Sequence, residues 1–332
     1  MRILAGDIGG TNTRLAIFDV EGERPKAILE QTYSSKEHVN LEEIVGQFLK
    51  QGGTDVKAAC YGVAGPVRDG CAKTANLPWV IDSKELAKLS GDATVTLIND
   101  LEANAYGLTA LAPDDFVLLN EGAPDVCGNE AIISAGTGLG EAGLRFEGGK
   151  RHPFATEGGH GDFAPRDELQ IELLQFLMKE TPHVSCERVL SGPGLLNIYR
   201  FLRDTKRFAE PAWLAEQMSG TDPAALISKT ELEEKSELCA EALEIFVSIY
   251  GAETGNLALR VLATGGVFIG GGIAPKIIRK LKEPLFIDSF VEKGRMSSLM
   301  ESIPVRVIMN DKTALLGAAL CAAALPRGQG SY

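Results

Sequence analysis

The sequence lacks the marks of an exported, membrane-bound or disulfide-stapled protein. Its six cysteines, Cys60, Cys71, Cys127, Cys186, Cys239 and Cys321, make no C-x-x-C pair and no framework of short spacings, the pattern of free thiols in a reducing compartment. No run approaches the ~20 apolar residues that a membrane helix needs. The longest candidate, Leu315 to Leu325, is short and alanine-rich and reads as a packed helix. Met1 to Asp7 reaches charges and a glycine before a signal-peptide core could form, so the expected location is the cytoplasm, with no membrane partner. Histidine is scarce: His38, His152, His160 and His183 show no metal-type spacing with nearby cysteines, and no zinc site is expected. Positive charge is short as well. Lys and Arg number 33 against 45 Asp and Glu, a formal net charge of -12 that repels a phosphate backbone and makes nucleic acid a poor partner.

What is present is a chain of 332 residues, 45% hydrophobic and 23% charged, long enough for two domains. Its 37 glycines concentrate at the ends of apolar, β-branched segments, where backbone turns sharply or comes close to a ligand. These segments come in pairs. Ile3 to Phe18 reads as strand, glycine-rich turn and strand, and so does Ala131 to Phe146. Ala59 to Pro66 is matched by Val267 to Pro275, each a buried strand ending in a glycine-rich loop. Val95 to Asp100 is matched by Val305 to Asp311, each a strand ending in Asn-Asp that feeds a helix. Ser134 stands 128 residues after Gly6, whereas Asp311 stands 211 after Asp100, so the second half carries an insertion. It is placed at about 151–260, with helical periodicity in Leu169 to Lys179, Pro193 to Arg203 and Leu238 to Ala258. The pattern predicts an α/β protein of two similar halves facing across a cleft, with the last strand and helix returning to the first half. The expected domains are 1–110 with 311–332, and 111–310.

Asp7-Ile8-Gly9-Gly10-Thr11-Asn12 lies between two strands. There glycines allow positive φ and present successive N–H groups to an anion, and the carboxylate can hold a hydrated Mg²⁺. An ordinary glycine-rich hairpin turn fits the same residues. Ser134 to Gly140 offers a second such turn, with the Thr137 hydroxyl added. Gly138-Leu139-Gly140-Glu141-Ala142-Gly143 matches a dinucleotide fingerprint, but a helix must open there and Gly143 to Phe146 reads as strand, so that reading is rejected. Asp100, at the end of an apolar strand, suits a general base; an Asp capping the helix from Leu101 is the plainer alternative. Glu157-Gly158-Gly159-His160 sets a carboxylate and an imidazole around glycines, able to meet a polyhydroxylated ligand, and Glu187 could join them.

Together, Asp7 to Asn12, Leu77-Pro78-Trp79, Asn99-Asp100, Glu157 to His160, Glu187-Arg188-Val189-Leu190-Ser191-Gly192 and Gly270-Gly271-Gly272 resemble, in this order and nearly end to end, the bacterial glucokinase family. The resemblance implies the two-lobed actin-like ATPase (hexokinase/ribonuclease H-like) fold, a duplicated βββαβα core with a helical insertion in the second lobe. It implies ATP-dependent phosphorylation of glucose at its 6-hydroxyl, the entry to glycolysis. Asn99, Asp100, Glu157, His160 and Glu187 match the family's sugar-binding positions, and Asp100 its catalytic base. Gly6, Asp7, Ile8, Gly9, Gly10 and Thr11, with Thr137 and Gly138, are implied around the phosphates of ATP, and Gly271 and Gly272 near adenosine. Asp7 would hold Mg²⁺ through water, and the family resemblance implies a homodimer. A sister group of sugar kinases and repressors carries a cysteine-rich zinc cluster after the Glu-x-Gly-His motif; with only Cys186 there, this chain resembles the zinc-free glucokinases. Sugar is expected to close the two halves and expel water.

Two rival readings use the same fold. A non-catalytic sugar-sensing regulator would need a DNA-reading extension, and none precedes Met1-Arg2-Ile3, while the retained Asp100 argues for catalysis. An actin-like or chaperone-type ATPase would leave Glu157, His160 and Glu187 without a purpose.

Overall fold

The computed structural model describes every residue except 22, 23, 53, 54, 75, 76, 92, 125, 221, 234 and 326–332. The chain divides into two units, one made of Met1–Asp115 and the C-terminal stretch from Asn310, the other of Phe116–Met309. The first boundary falls a few residues beyond the expected 110 because Asp115 is held in the first unit. Its carboxylate accepts from the Ala112 N–H (2.8 Å) and from the Asn310 side chain (3.1 Å). Residues 326–332 of the expected small domain lie outside the described residues.

Strands β1 (Arg2–Ile8), β2 (Asn12–Glu21), β3 (Arg24–Ser34), β4 (Ala58–Val63) and β8 (Thr94–Asn99) form the sheet of the first unit in the order β3-β2-β1-β4-β8. The short strands β5 (Val67–Arg68), β6 (Cys71–Lys73) and β7 (Val80–Asp82) make a separate three-stranded sheet. Alternation along β1 sends Leu4 and Ile8 to one face, onto Leu41, Ile44 and Phe48 of helix α1 (Leu41–Leu49). Ile3 and Ala5 go to the other face. Helix α2 (Ser83–Leu89) precedes β8, and α3 (Asp100–Gly107) follows it directly. β1, β4 and β8 are parallel, and the register row Ile8, Val63, Asn99 brings their C-terminal ends to one edge. In open α/β sheets that edge is where ligands bind.

The second unit repeats this plan. β9 (Phe116–Asn120), β10 (Glu130–Ala135), β11 (Leu139–Glu147), β12 (Lys150–Ala155), β13 (Gly266–Gly270) and β14 (Val305–Ile308) run in the order β12-β11-β10-β13-β14-β9. The first five positions reproduce the first sheet, with two antiparallel pairings followed by two parallel ones. β9 is an added antiparallel edge. Residues 139–147 are strand throughout, so no helix opens at the Gly138-Leu139-Gly140 turn.

The helical insertion starts later than the expected 151. Residues 150–155 belong to β12, where Arg151 forks onto Glu130 at 2.5 and 2.8 Å, and Pro153 is accommodated because β12 is an edge strand. The insertion comprises α4 (Glu168–Leu177), α5 (Gly192–Asp204), α6 (Ala212–Met218), α7 (Pro223–Leu232) and α8 (Glu237–Val261). Between β13 and β14 lie α9 (Ile278–Leu281), α10 (Pro284–Val291) and α11 (Ser297–Glu301). α8 is buried over most of its length, and a Cβ at Gly251 would come within 2.1 Å of the Phe286 carbonyl on α10.

The last helix, α12 (Thr313–Ala324), belongs to the first unit and covers its sheet beside α3. The two helix backbones touch: a Cβ at Gly317 would sit 1.7 Å from the Ala103 carbonyl oxygen, and one at Gly107 2.1 Å from that of Thr313. Among the described residues no helix is long and apolar enough to cross a membrane.

Candidate active site

In the first unit the Gly9–Thr11 turn joins β1 to β2 and is closed from within. The Gly9 N–H donates to the Asn12 carbonyl (2.9 Å), and the Ser35 hydroxyl donates to the Gly9 carbonyl (2.8 Å) while standing 3.0 Å from the Thr13 hydroxyl. Neither Gly9 nor Gly10 takes a positive φ, contrary to the expectation. The backbone hydrogen bonds already close the turn, and the glycines instead keep it bare. Gly6 and Ile8 are paired inside the sheet, and Gly6 lacks a side chain because Tyr61 Cδ1 lies 2.4 Å from where its Cβ would be. Thr11 is exposed and Asp7 half-buried.

Burial pushes the Asp7 carboxyl up to about 6; Arg14 opposes this, and Asp311 adds to it. Arg14 is itself held by Asp311, at 2.9 Å to the carboxylate and 2.7 Å to the carbonyl. Among the described residues no group of three or more His, Cys, Asp or Glu could cage a metal. A single half-desolvated carboxylate beside a bare turn fits Mg²⁺ in its common protein setting, mostly hydrated and shared with phosphates.

Asn99 ends β8 and Asp100 opens α3. The alternative reading of Asp100 as the cap of a helix from Leu101 is set aside, since the helix opens one residue earlier. Asn99 is the N-cap, its Oδ1 accepting from the Leu101 N–H at 2.9 Å while its Nδ2 donates to the Gly65 carbonyl at 3.3 Å. One amide hydrogen of Asn99 remains beyond these two bonds. Asp100 occupies the first helical position, where the helix dipole favours negative charge. Its Oδ1 also accepts from Leu101 (3.0 Å), and Asn104 donates to its carbonyl (3.0 Å). Asp100 therefore stands one residue past the last register row, Ile8–Val63–Asn99, at the sheet edge where the Gly9–Thr11 turn begins; Asp7 lies one row back.

The second unit gathers a different set. Glu157 precedes the 3-10 turn Gly158–His160, and Glu187 lies in the 3-10 turn Cys186–Arg188. A bridge between Asp162 and Ser185 joins the two turns, with the Cys186 N–H donating to the Gly161 carbonyl at 2.8 Å and the Phe163 N–H to that of Val184 at 3.0 Å. Glu157 and His160 are more than half exposed and 3.9 Å apart. Gly159 lets the turn lie flat on β11, since a Cβ would be 2.1 Å from the Leu139 carbonyl oxygen. Glu187 reaches the other motif: its Oε2 accepts from the Leu139 N–H at 2.9 Å, directly after Thr137 and Gly138, and a Cβ at Gly138 would strike it at 2.5 Å. Thr137 itself is exposed.

Gly271 follows β13 with φ +84, and its absent Cβ would sit 2.3 Å from the Ala135 carbonyl oxygen, so both conformation and space require glycine there. Gly272 faces open space. The buried Tyr250 hydroxyl of α8 fixes both strand ends, lying 3.4 Å from the Ala135 nitrogen and 3.5 Å from the Gly270 carbonyl. One residue in this unit was missed from sequence. Glu141, fully buried on β11, lies under Gly158; its signal was a lone acid between buried Leu139 and Ala142. A separate cavity of about 430 Å³ in the helical insertion, lined by Trp213, Leu226 and Lys229 among others, touches none of these residues.

A family model described as Glucokinase matches residues 4–325. The glucokinase of Nostoc punctiforme is 41% identical over 338 aligned residues, covering 97% of this chain and 99% of that relative. The solved glucokinase of an Antarctic psychrotroph superposes with a TM-score of 0.82 at 32% identity, covering 97% of this chain and 98% of the other. A ROK family glucokinase from Streptomyces griseus, solved in complex with glucose and AMPPNP, superposes at 0.67 with 20% identity, covering 97% and 99%. The doubled sheet and these superpositions place the chain among sugar kinases of the actin-like ATPase fold. Within that class the chain belongs to the glucokinase family, whose members phosphorylate glucose with ATP.

Proposed function

We propose that this chain transfers the terminal phosphoryl group of ATP to the 6-hydroxyl of glucose with Asp100 as general base. The observation that carries the assignment is the place of Asp100 at the first turn of α3. One of its oxygens is fixed by the Leu101 N–H, at the sheet edge where the Ile8–Val63–Asn99 row ends and the Gly9–Thr11 turn begins. A base held by its own helix keeps its orientation while it accepts the hydroxyl proton. Phosphoryl transfer asks little covalent chemistry of a protein, so positioning and charge placement supply the rate.

In this reading Glu157, Glu187 and Asn99 take hydroxyls of the sugar and His160 adds a ring nitrogen. The N–H groups of Gly10 and Thr11 and of the Thr137–Gly138 turn face phosphate oxygens, and Gly271 and Gly272 leave room for the adenosine. Asp7 would hold Mg²⁺ through water; the ion, when bound, neutralises charge on the phosphates. The S. griseus relative was solved with glucose and AMPPNP, which supports sugar and nucleotide as the pair of ligands. The same reading makes glucose 6-phosphate the product, an entry to glycolysis in the cytoplasm, with a homodimer as the assembly that the family resemblance supports.

Asp100→Asn tests the base. The amide keeps the shape and the bond from Leu101, so glucose affinity measured by calorimetry stays within about twofold while kcat falls by roughly 10² or more. Equal losses in binding and turnover would make Asp100 a structural residue.

A further inference from the structure

Strand β11 carries an acid where its neighbours are apolar. Leu139, Ala142 and Leu144 are buried, and so is Glu141, whose side chain is 1% exposed. A buried carboxylate needs donors, and this one has few. The Arg260 guanidinium stands 3.8 Å from its Oε2 but gives its short bond, 2.7 Å, to Glu253 of α8. Glu253 also takes the Asn256 amide at 2.9 Å. Among the described residues Glu141 Oε1 has no donor. A proton on Glu141 turned toward Glu253 satisfies both acids. Burial first, and then Glu253, push the Glu141 carboxyl up to about 7.

The other side of Glu141 bears on the turn assigned to sugar. A Cβ at Gly158 would lie 2.0 Å from Glu141 Oε2 and 2.8 Å from its Cδ, so the carboxyl group packs directly against the Gly158 Cα. The Thr156 hydroxyl completes the seat by donating to the Glu141 carbonyl at 2.8 Å and accepting from the Gly158 N–H at 3.2 Å.

We infer that Glu141 is a positioning residue for the sugar, its side chain packed under Gly158 supporting the turn that carries Glu157 and His160. The inference rests on the assignment of those two residues to glucose. When Glu141 ionises, its charge faces Glu253 with only the half-exposed Arg260 in compensation, and the seat of Gly158 is disturbed. The groups facing Glu141 are Glu253 and Arg260 from α8 and Cys186 from the turn that carries Glu187. The Cys186 thiol is held well above its usual range by burial, then by Glu253 and Glu141. Glu157 and His160, on the supported turn itself, are more than half exposed. Glucose affinity should therefore fall as pH rises through neutrality, with kcat moving less.

Glucose KM and kcat measured from pH 6 to pH 8 test this in the wild type, Glu141→Gln, Gly158→Ala and Glu141→Ala/Gly158→Ala, with Glu157→Ala as control. In the wild type KM is expected to rise about three- to tenfold over that range, and in Glu141→Gln, which cannot ionise, to stay flat. Gly158→Ala raises KM roughly tenfold, and the double variant recovers most of it because the shortened side chain leaves space for the methyl group. A wild-type slope in Glu141→Gln overturns the inference. A double variant no better than Gly158→Ala overturns it as well. If Glu157→Ala leaves glucose affinity unchanged, the sugar site itself is misassigned and the inference falls with it. If Glu157→Ala weakens glucose while the Glu141 variants do not move KM, only the inference falls.

Discussion

A carboxylic acid buried in a strand costs stability at the pH where it must ionise, and Glu141 makes that cost measurable. Its folded-state value near 7 exceeds the ordinary 4.5, so between these limits the native protein binds more protons than the unfolded chain and stability falls as pH rises. The gap is worth on the order of 3 kcal/mol once pH exceeds about 7. Glu141→Gln removes the penalty. Its melting temperature is expected to exceed that of the wild type by several degrees at pH 8, with the advantage shrinking toward pH 5; a variant less stable than the wild type at pH 8 would contradict this. Residue roles were unevenly legible in sequence. The Asn99-Asp100 pair announced both a cap and a base, and only coordinates assign the cap to Asn99, because side-chain direction at a strand–helix junction depends on the backbone. Glu141 was hidden inside a glycine pattern that matched a dinucleotide fingerprint.

At the scale of elements, apolar hairpins and long helices were readable because their burial is one-sided or complete. The β1–β2 and β10–β11 hairpins and helices α4, α5 and α8 stand within a few residues of the sequence reading. The edge strands β3 and β12 were not readable: β12 (Lys150–Ala155) is largely exposed, and among the described residues of β3 only Tyr33 is buried, with Leu29 packed against the same core, so no strong alternation marks either. Glycine contacts between helices were equally silent, since nothing in a single sequence says that Gly107 and Gly317 meet the opposite helix. They give a sharp expectation. Gly317→Ala drives a methyl group into the Ala103 carbonyl, 1.7 Å away, which backbone cannot yield cheaply. The variant should lose about 1–3 kcal/mol or more in urea unfolding. A loss below about 0.5 kcal/mol, the level of an ordinary surface change, would show that α3 and α12 are not in such contact.

For the whole molecule, the duplication was the most legible feature. Pairs of strand ends recur in order, and the change of offset from 128 to 211 residues marks the helices inserted between β12 and β13. The structure turns that echo into topology, since the two sheets share strand order and pairing sense. Each unit carries its own glycine turn at the end of its first hairpin strand, and the acids differ: Asp7 and Asp100 in one, Glu157 and Glu187 in the other. On the proposed reading, a protein of net charge -12 would meet a polyphosphate with backbone N–H groups and a metal ion rather than with a basic surface.

Water competes with the sugar hydroxyl for the same phosphoryl group, so the assignment of Asp100 as base to a sugar alcohol has a direct consequence for the intact protein. The deciding measurement is ADP release by purified protein with ATP and Mg²⁺, in the presence and absence of glucose, with the phosphorylated product analysed by NMR. The account predicts glucose 6-phosphate in one-to-one ratio with ADP, and ATP hydrolysis without sugar slower by about 100-fold or more. ADP release at the same rate whether or not glucose is present would contradict it.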